Sequence, residues 1–261
     1  SWETMALLAA SAVLIAGFVG IELRSRSPLL PMRMFRLRTL TTANMIVVVV
    51  ASIAFSWFFL QTLYMQQVLE YSALEAGVAF APIAVTIAVF SNFAQSFVTR
   101  FGVRPVLTAG LLITAASLAA LSRVPVHGSY FWDLFPAFVI AGFGLSLCFV
   151  PMTIAGLSGV GAADAGVASG LINTSRQIGG AVGLAVISTV ATTFTNQYVE
   201  SHAGASASTD AALTQGFERS FYVLTALALV GALIAATLIR PRPRATEIEL
   251  TESLTPLEEA A

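Results

Sequence analysis

Apolar residues are gathered into seven runs, at roughly 5–21, 43–63, 76–98, 105–122, 132–154, 165–191 and 220–239. Each is close to the ~20 residues with which an α-helix crosses a hydrocarbon layer about 30 Å thick. Nearly every charge lies between the runs. The pattern predicts an all-α membrane protein with seven transmembrane helices. The first run is the shortest and also reads as a signal anchor, which leaves six spans as the alternative.

The charges between the runs set an orientation. Arg24, Arg26, Arg33, Arg36 and Arg38 follow the first run, Arg100 and Arg104 sit in the connector TRFGVRP, and Arg240, Arg242 and Arg244 follow the last. Alternation puts these three regions on one side, against only Arg123 and Arg219 on the other. Arginine-rich connectors stay in the cytoplasm, so the amino end is expected outside and the carboxyl end inside a plasma membrane. Tyr64, Tyr71, Tyr130, Tyr198 and Tyr222, with Trp2 and Trp132, fall at the opposite ends of the runs. That is where aromatic rings with a polar edge collect. The segments 192–219 and 245–261 are polar and are expected to lack packed structure.

Composition agrees: 57% of residues are hydrophobic and 10% charged, where a soluble domain carries about 25% charged residues. Cys148 is the single cysteine, and His127 and His202 lie far apart, so no disulfide, metal site or cofactor is predicted. No nucleotide-binding loop or nucleophile–base grouping accompanies the spans, and the basic connectors are too short for a nucleic-acid interface. No enzyme is predicted. The chain opens at Ser1 and at once enters an apolar run, which predicts a piece of a longer protein.

Candidate chemistry lies inside the spans. In GVASGLINTSRQIGG (166–180), helical spacing puts Gly166, Ser169, Gly170, Asn173, Gln177 and Gly180 on one stripe, with Arg176 at its edge. Leu171, Ile178, Val182 and Val186 take the other side. Gly166/Gly170 and Gly179/Gly183 are G-x-x-x-G pairs that admit a close helix neighbour. A mid-span arginine costs roughly 2.5–3.5 kcal/mol on insertion scales, so Arg176 must face inward. It is either a packing and electrostatic element or part of a substrate cavity, and both readings stay open. Asn92 and Gln95 in the third run present a weaker polar face, as helix packing or cavity lining. Asn44, Ser52, Ser56 and Gln61 are scattered along the 43–63 run and form no clear stripe. Ser72-Ala-Leu-Glu75 reads as a capping box, and Asp133 and Asp164 as first-turn acids. No carboxylate is expected deep in a span.

Four motifs in order carry a family resemblance: SPLLPMRMFR (27–36), YSALEAGVAFAP (71–82), RFGVRP (100–105) and GVASGLINTSRQIGGAVGLA (166–185). Together they resemble the major facilitator superfamily, and within it the fourteen-span drug:proton antiporters of the EmrB/QacA type. The resemblance implies that residues 1–39 are an extra linker helix plus an arginine-rich connector. Residues 40–240 would be the carboxyl-terminal six-helix bundle, and 241–261 an acidic cytoplasmic tail. Arg100, Gly102 and Arg104 match the second copy of that superfamily's cytoplasmic gate loop, with Thr99 where the first copy has an acid. The resemblance further implies export of small amphipathic molecules by alternating access. The lipid bilayer, a small-molecule substrate and protons, bound through an absent amino-terminal half, would be the partners. Asn92, Gln95, Asn173 and Gln177 would be the cavity candidates. The alternatives are an importer or a lipid or siderophore exporter of the same superfamily, and a non-transporting subunit that pairs with a separate amino-terminal bundle.

Overall fold

Helices α1 (Trp2–Arg24), α2 (Arg38–Gln67), α3 (Ala73–Ala79), α4 (Ala81–Phe101) and α5 (Val103–Leu121) run in chain order. A π-helical turn, Tyr130–Leu134, then leads into α6 (Phe135–Leu157), α7 (Ala165–Ser201) and α8 (Thr209–Leu238). They come from a computed structural model that describes residues 2–25, 37–126, 128–158, 160–161, 164–202 and 209–239. The connector motif 27–36, His127 and the tail from 240 lie outside the described residues. Among the described residues, seven helical segments are long and apolar enough to cross a membrane, as the hydrophobic runs predict. The protein is an integral membrane protein.

Local chemistry explains the breaks. Ser72 and Glu75 form the expected capping box at the start of α3. The Ser72 hydroxyl accepts from the Glu75 amide at 3.3 Å, and the Glu75 carboxylate accepts from the Ser72 amide at 2.8 Å. The third apolar run is nevertheless two helices, because Pro82 at the start of α4 has no amide to continue α3. The Tyr130 hydroxyl donates to the Ala79 carbonyl at this break, 2.8 Å away. Gly102, at φ +86°, is the single residue between α4 and α5. That left-handed conformation favours glycine.

The bundle consists of two three-helix halves that exchange partners. α2 packs chiefly on α7, α4 on α6, and α5 on both α6 and α8. The first helix of each triplet thus meets the second helix of the other, the arrangement of paired repeats. The core runs from Ile46 to Met65 on α2, through Leu107, Leu111 and Leu118 on α5, to Phe138 and Cys148 on α6 and Leu224 on α8. Between α5 and α6 the backbones are nearly in touch: a Cβ on Gly110 would meet Leu147 Cβ at 2.8 Å. α1 stands apart, exposed along its length except at Glu22.

The expectation that the connector 192–219 lacks packed structure is corrected for its described residues. α7 has 37 residues, about 55 Å at 1.5 Å per residue, and α8 already begins at Thr209. Polar residues end the apolar pattern but do not stop a helix. Gly216 of α8 packs on Ala191 and Thr195 of α7, and Tyr198 stacks on His202 with ring centroids 4.2 Å apart. Consequently Glu218 lies within α8, half-buried, instead of in a loop. Its carboxylate accepts from Gln215 Nε2 at 3.3 Å. With Gln61, Tyr64 and Thr214 it borders a cavity of only about 10 Å³.

Candidate functional site: a cleft between α2, α6 and α7

Arg176 projects from α7 into a cleft of about 370 Å³. Ala51, Ala54 and Phe55 of α2 form one wall, and Phe149, Met152 and Thr153 of α6 the other. The side chain is half-buried, and its Nε is buried with no hydrogen-bond partner among the described residues. A guanidinium presents five donors and no acceptor, so a desolvated, unpaired N–H is a strong demand for a carbonyl, carboxylate or phosphate oxygen. The surrounding aromatic rings and thioether offer apolar contact and adapt to varied shapes. Such a cleft suits an amphipathic molecule that brings its own acceptor.

The cleft exists because α7 lies close on α2. Gly179 packs on the Val48 backbone, a Cβ on Gly180 would sit 2.8 Å from the Phe55 ring, and one on Gly183 would sit 2.5 Å from Ser52 Cα. Hydrogen bonds reinforce the seam. Ser52 Oγ donates to the Gly179 carbonyl at 2.7 Å, and Ser175 Oγ donates to Asn44 Oδ1 at 2.8 Å. Asn44 and Ser52, scattered as they are along the sequence, are two turns apart and meet the same helix. Ser56 Oγ, Trp57 Nε1 and Gln61 Oε1, further along α2, are buried without hydrogen-bond partners among the described residues.

The remaining candidates lie elsewhere. Asn173 and Gln177 are exposed on α7, and Asn92 and Gln95 are exposed on α4; none of the four lines the Arg176 cleft. Gly166 and Gly170 have nothing within 4 Å of the place where a Cβ would stand. Unlike Gly179/Gly183, that G-x-x-x-G pair therefore closes no helix contact among the described residues. α7 has three faces and not two. The first, through Ile172, Gly179, Gly183 and Ile187, is buried against the bundle. The second, through Gly166, Gly170, Asn173 and Gln177, is polar and open. The third is apolar and open, with Ile178 55% and Val182 56% exposed. The sequence pattern separates polar from apolar residues but does not show that both stripes flank the packed one. At the turn between α4 and α5 Arg100 is exposed, with its guanidinium 5.3 Å from the Phe101 ring centroid, while Arg104 is half-buried beside Gly102.

Comparison with known proteins agrees with this architecture. The chain is 30% identical over 253 residues to the puromycin resistance protein pur8 of Streptomyces alboniger, covering 96% of this chain and 50% of that protein. It is 38% identical over 186 residues to the cephamycin export protein CmcT of Amycolatopsis lactamdurans, covering 70% of this chain and 38% of the relative. It is 34% identical over 186 residues to the tetracenomycin C resistance and export protein of Streptomyces glaucescens, covering 71% and 34%. The chain thus spans half, or less, of the length of these relatives. The family profile described as Major Facilitator Superfamily matches residues 1–184. On that match and these relatives, the chain belongs to the Major Facilitator Superfamily.

Proposed function

We propose that this chain is the carboxyl-terminal half of a secondary transporter that exports drugs or similar amphipathic molecules by proton antiport and alternating access. The observation that carries the reading is the Arg176 cleft: an unpaired, desolvated guanidinium N–H beside Phe55, Phe149 and Met152. Substrate sites of such transporters lie between two bundles near the bilayer midplane. The open polar face of α7, with Gly166, Gly170, Asn173 and Gln177, and the face of α4 with Asn92 and Gln95 would then meet the other half or line the cavity. Arg100, Gly102 and Arg104 would bias the inner gate. Residues 1–39 would be a linker helix and its connector, 40–240 the bundle and 241–261 a cytoplasmic tail. The amino end would lie outside and the carboxyl end in the cytoplasm of the plasma membrane. Resistance or export, as the names of the three relatives describe it, supports the reading.

The test is uptake of a fluorescent or radiolabelled drug into inverted membrane vesicles. This chain is expressed with and without an amino-terminal bundle from a relative, with and without a proton gradient. Uptake is expected only with both halves and the gradient, and Arg176→Ala should reduce it at least tenfold while membrane insertion persists. Gradient-independent uptake, or full activity of Arg176→Ala, would refute the proposal.

A further inference from the structure

A second cleft lies at the arginine-bearing end of the bundle, away from the Arg176 site. It encloses about 600 Å³ between the α4–α5 turn, the first turns of α5 and Ala236 near the end of α8. We propose that this cleft binds an anionic phospholipid, with the headgroup at Arg104 and Arg100 and the first acyl segment along α5.

The chemistry changes along the cleft in the order of a lipid's own parts. Arg104 lines it at the helix-end level, half-buried, while the Thr108 hydroxyl occupies the Arg104 backbone carbonyl at 2.8 Å. Arg100 stands in the adjacent last turn of α4, exposed. Moving along α5, the lining turns apolar through Pro105, Ala109 and Leu112, with Phe101 and Ala236 flanking, and Leu112 and Phe101 are about half-exposed. Among the described residues, no Asp or Glu borders the cleft. Thr99, where an acid would neutralise the pair, instead donates its hydroxyl to the Ser96 carbonyl at 2.8 Å. Two cations at the end of a membrane helix, with no described carboxylate on the cleft wall and above an open apolar track, match a phosphate that carries acyl chains. Basic pockets between transmembrane helices hold anionic headgroups in this way. A zwitterionic lipid brings an ammonium that repels the same arginines, and free phosphate has nothing to place on Leu112. The proposal rests on the membrane-embedded fold and not on transport.

The full chain, purified in detergent, is titrated with phosphatidylglycerol, phosphatidylcholine or inorganic phosphate. Binding is read by native mass spectrometry and by thermal unfolding. Phosphatidylglycerol should bind and raise the unfolding temperature. The other two should do neither. The double variant Arg100→Gln/Arg104→Gln should weaken phosphatidylglycerol binding roughly tenfold to thirtyfold, from about 1 kcal/mol per basic residue. Ala236→Phe, which fills the cleft without changing charge, should weaken it as well. Arg123→Gln, at the far end of α5, should not. Equal binding by wild type and both cleft variants overturns the proposal. Lipid discrimination that emerges only after Glu247, Glu249, Glu252, Glu258 and Glu259 are all changed to Gln assigns the cleft to the chain's own acidic tail and overturns it too.

Discussion

Gly183→Ala and Gly170→Ala place the same methyl group on the same helix with opposite expected outcomes. A Cβ at position 183 would lie 2.5 Å from both Ser52 Cα and Ser52 Cβ, and 2.9 Å from the Ser52 carbonyl oxygen. Carbon atoms rest at about 3.5–4.0 Å, so α2 and α7 would have to part by roughly 1 Å. Overpacking of that kind costs about 1–3 kcal/mol. Separation also stretches the Ser52 Oγ–Gly179 hydrogen bond, 2.7 Å long, whose net worth is about 0.5–1.5 kcal/mol. Less the roughly 1 kcal/mol of helix propensity that alanine also gains at this position, the expected net destabilisation is about 0.5–3.5 kcal/mol. At position 170 nothing lies within 4 Å, and alanine gains about 1 kcal/mol of helix propensity over glycine. Cys148, the single cysteine and fully buried on α6, supplies the assay: a thiol-reactive fluorophore reports its exposure on heating in detergent. By the scaling for domains of this size, Gly183→Ala should unfold roughly 1–14 °C lower, while Gly170→Ala should match or exceed wild type. Equal unfolding temperatures for Gly183→Ala and wild type would show that α2 and α7 are not in contact as described. A fall for Gly170→Ala as large as for Gly183→Ala would show that the open face of α7 is covered.

Other predictions are smaller. Ser72→Ala removes one arm of the capping box and should cost about 1 kcal/mol, lowering the unfolding temperature by a few degrees while leaving the helical circular dichroism intact. Tyr130→Phe removes the donor to the Ala79 carbonyl at the α3–α4 break. It should cost about 1–3 kcal/mol by leaving that acceptor short of a partner, with faster amide exchange at Phe80–Ala84 in hydrogen–deuterium mass spectrometry; unchanged exchange there would count against the contact. In the folded chain at room temperature, Cys148 should resist a membrane-permeant maleimide for hours. Prompt labelling would mean that the α6 core is open.

Sequence and structure divide the work unevenly at the candidate site. Arg176 is legible from the chain alone, because a charge within an apolar span must be accounted for. Its neighbours Phe55, Phe149 and Met152 are not, since they resemble any other apolar residues until α2, α6 and α7 converge. The polar seam of Asn44, Ser52 and Ser175 is hidden in the sequence for a related reason. Each serine or asparagine is ordinary on its own helix and gains meaning only from the carbonyl or side chain opposite. The two G-x-x-x-G pairs are indistinguishable as patterns, yet only Gly179/Gly183 meets a neighbour among the described residues.

The amino-acid sequence by itself determined that the chain lies in a membrane and that seven apolar runs are long enough to cross it. Those properties follow from a local quantity, the apolar length needed to span hydrocarbon. It also singled out the one mid-span guanidinium whose burial demands a partner. Only the tertiary structure decided which face of α7 is packed, how far α7 and α8 continue beyond the apolar runs, and which side chains surround Arg176. Those depend on the distances between helices far apart in the chain, and hydrophobic periodicity carries no information about which neighbour a face will meet.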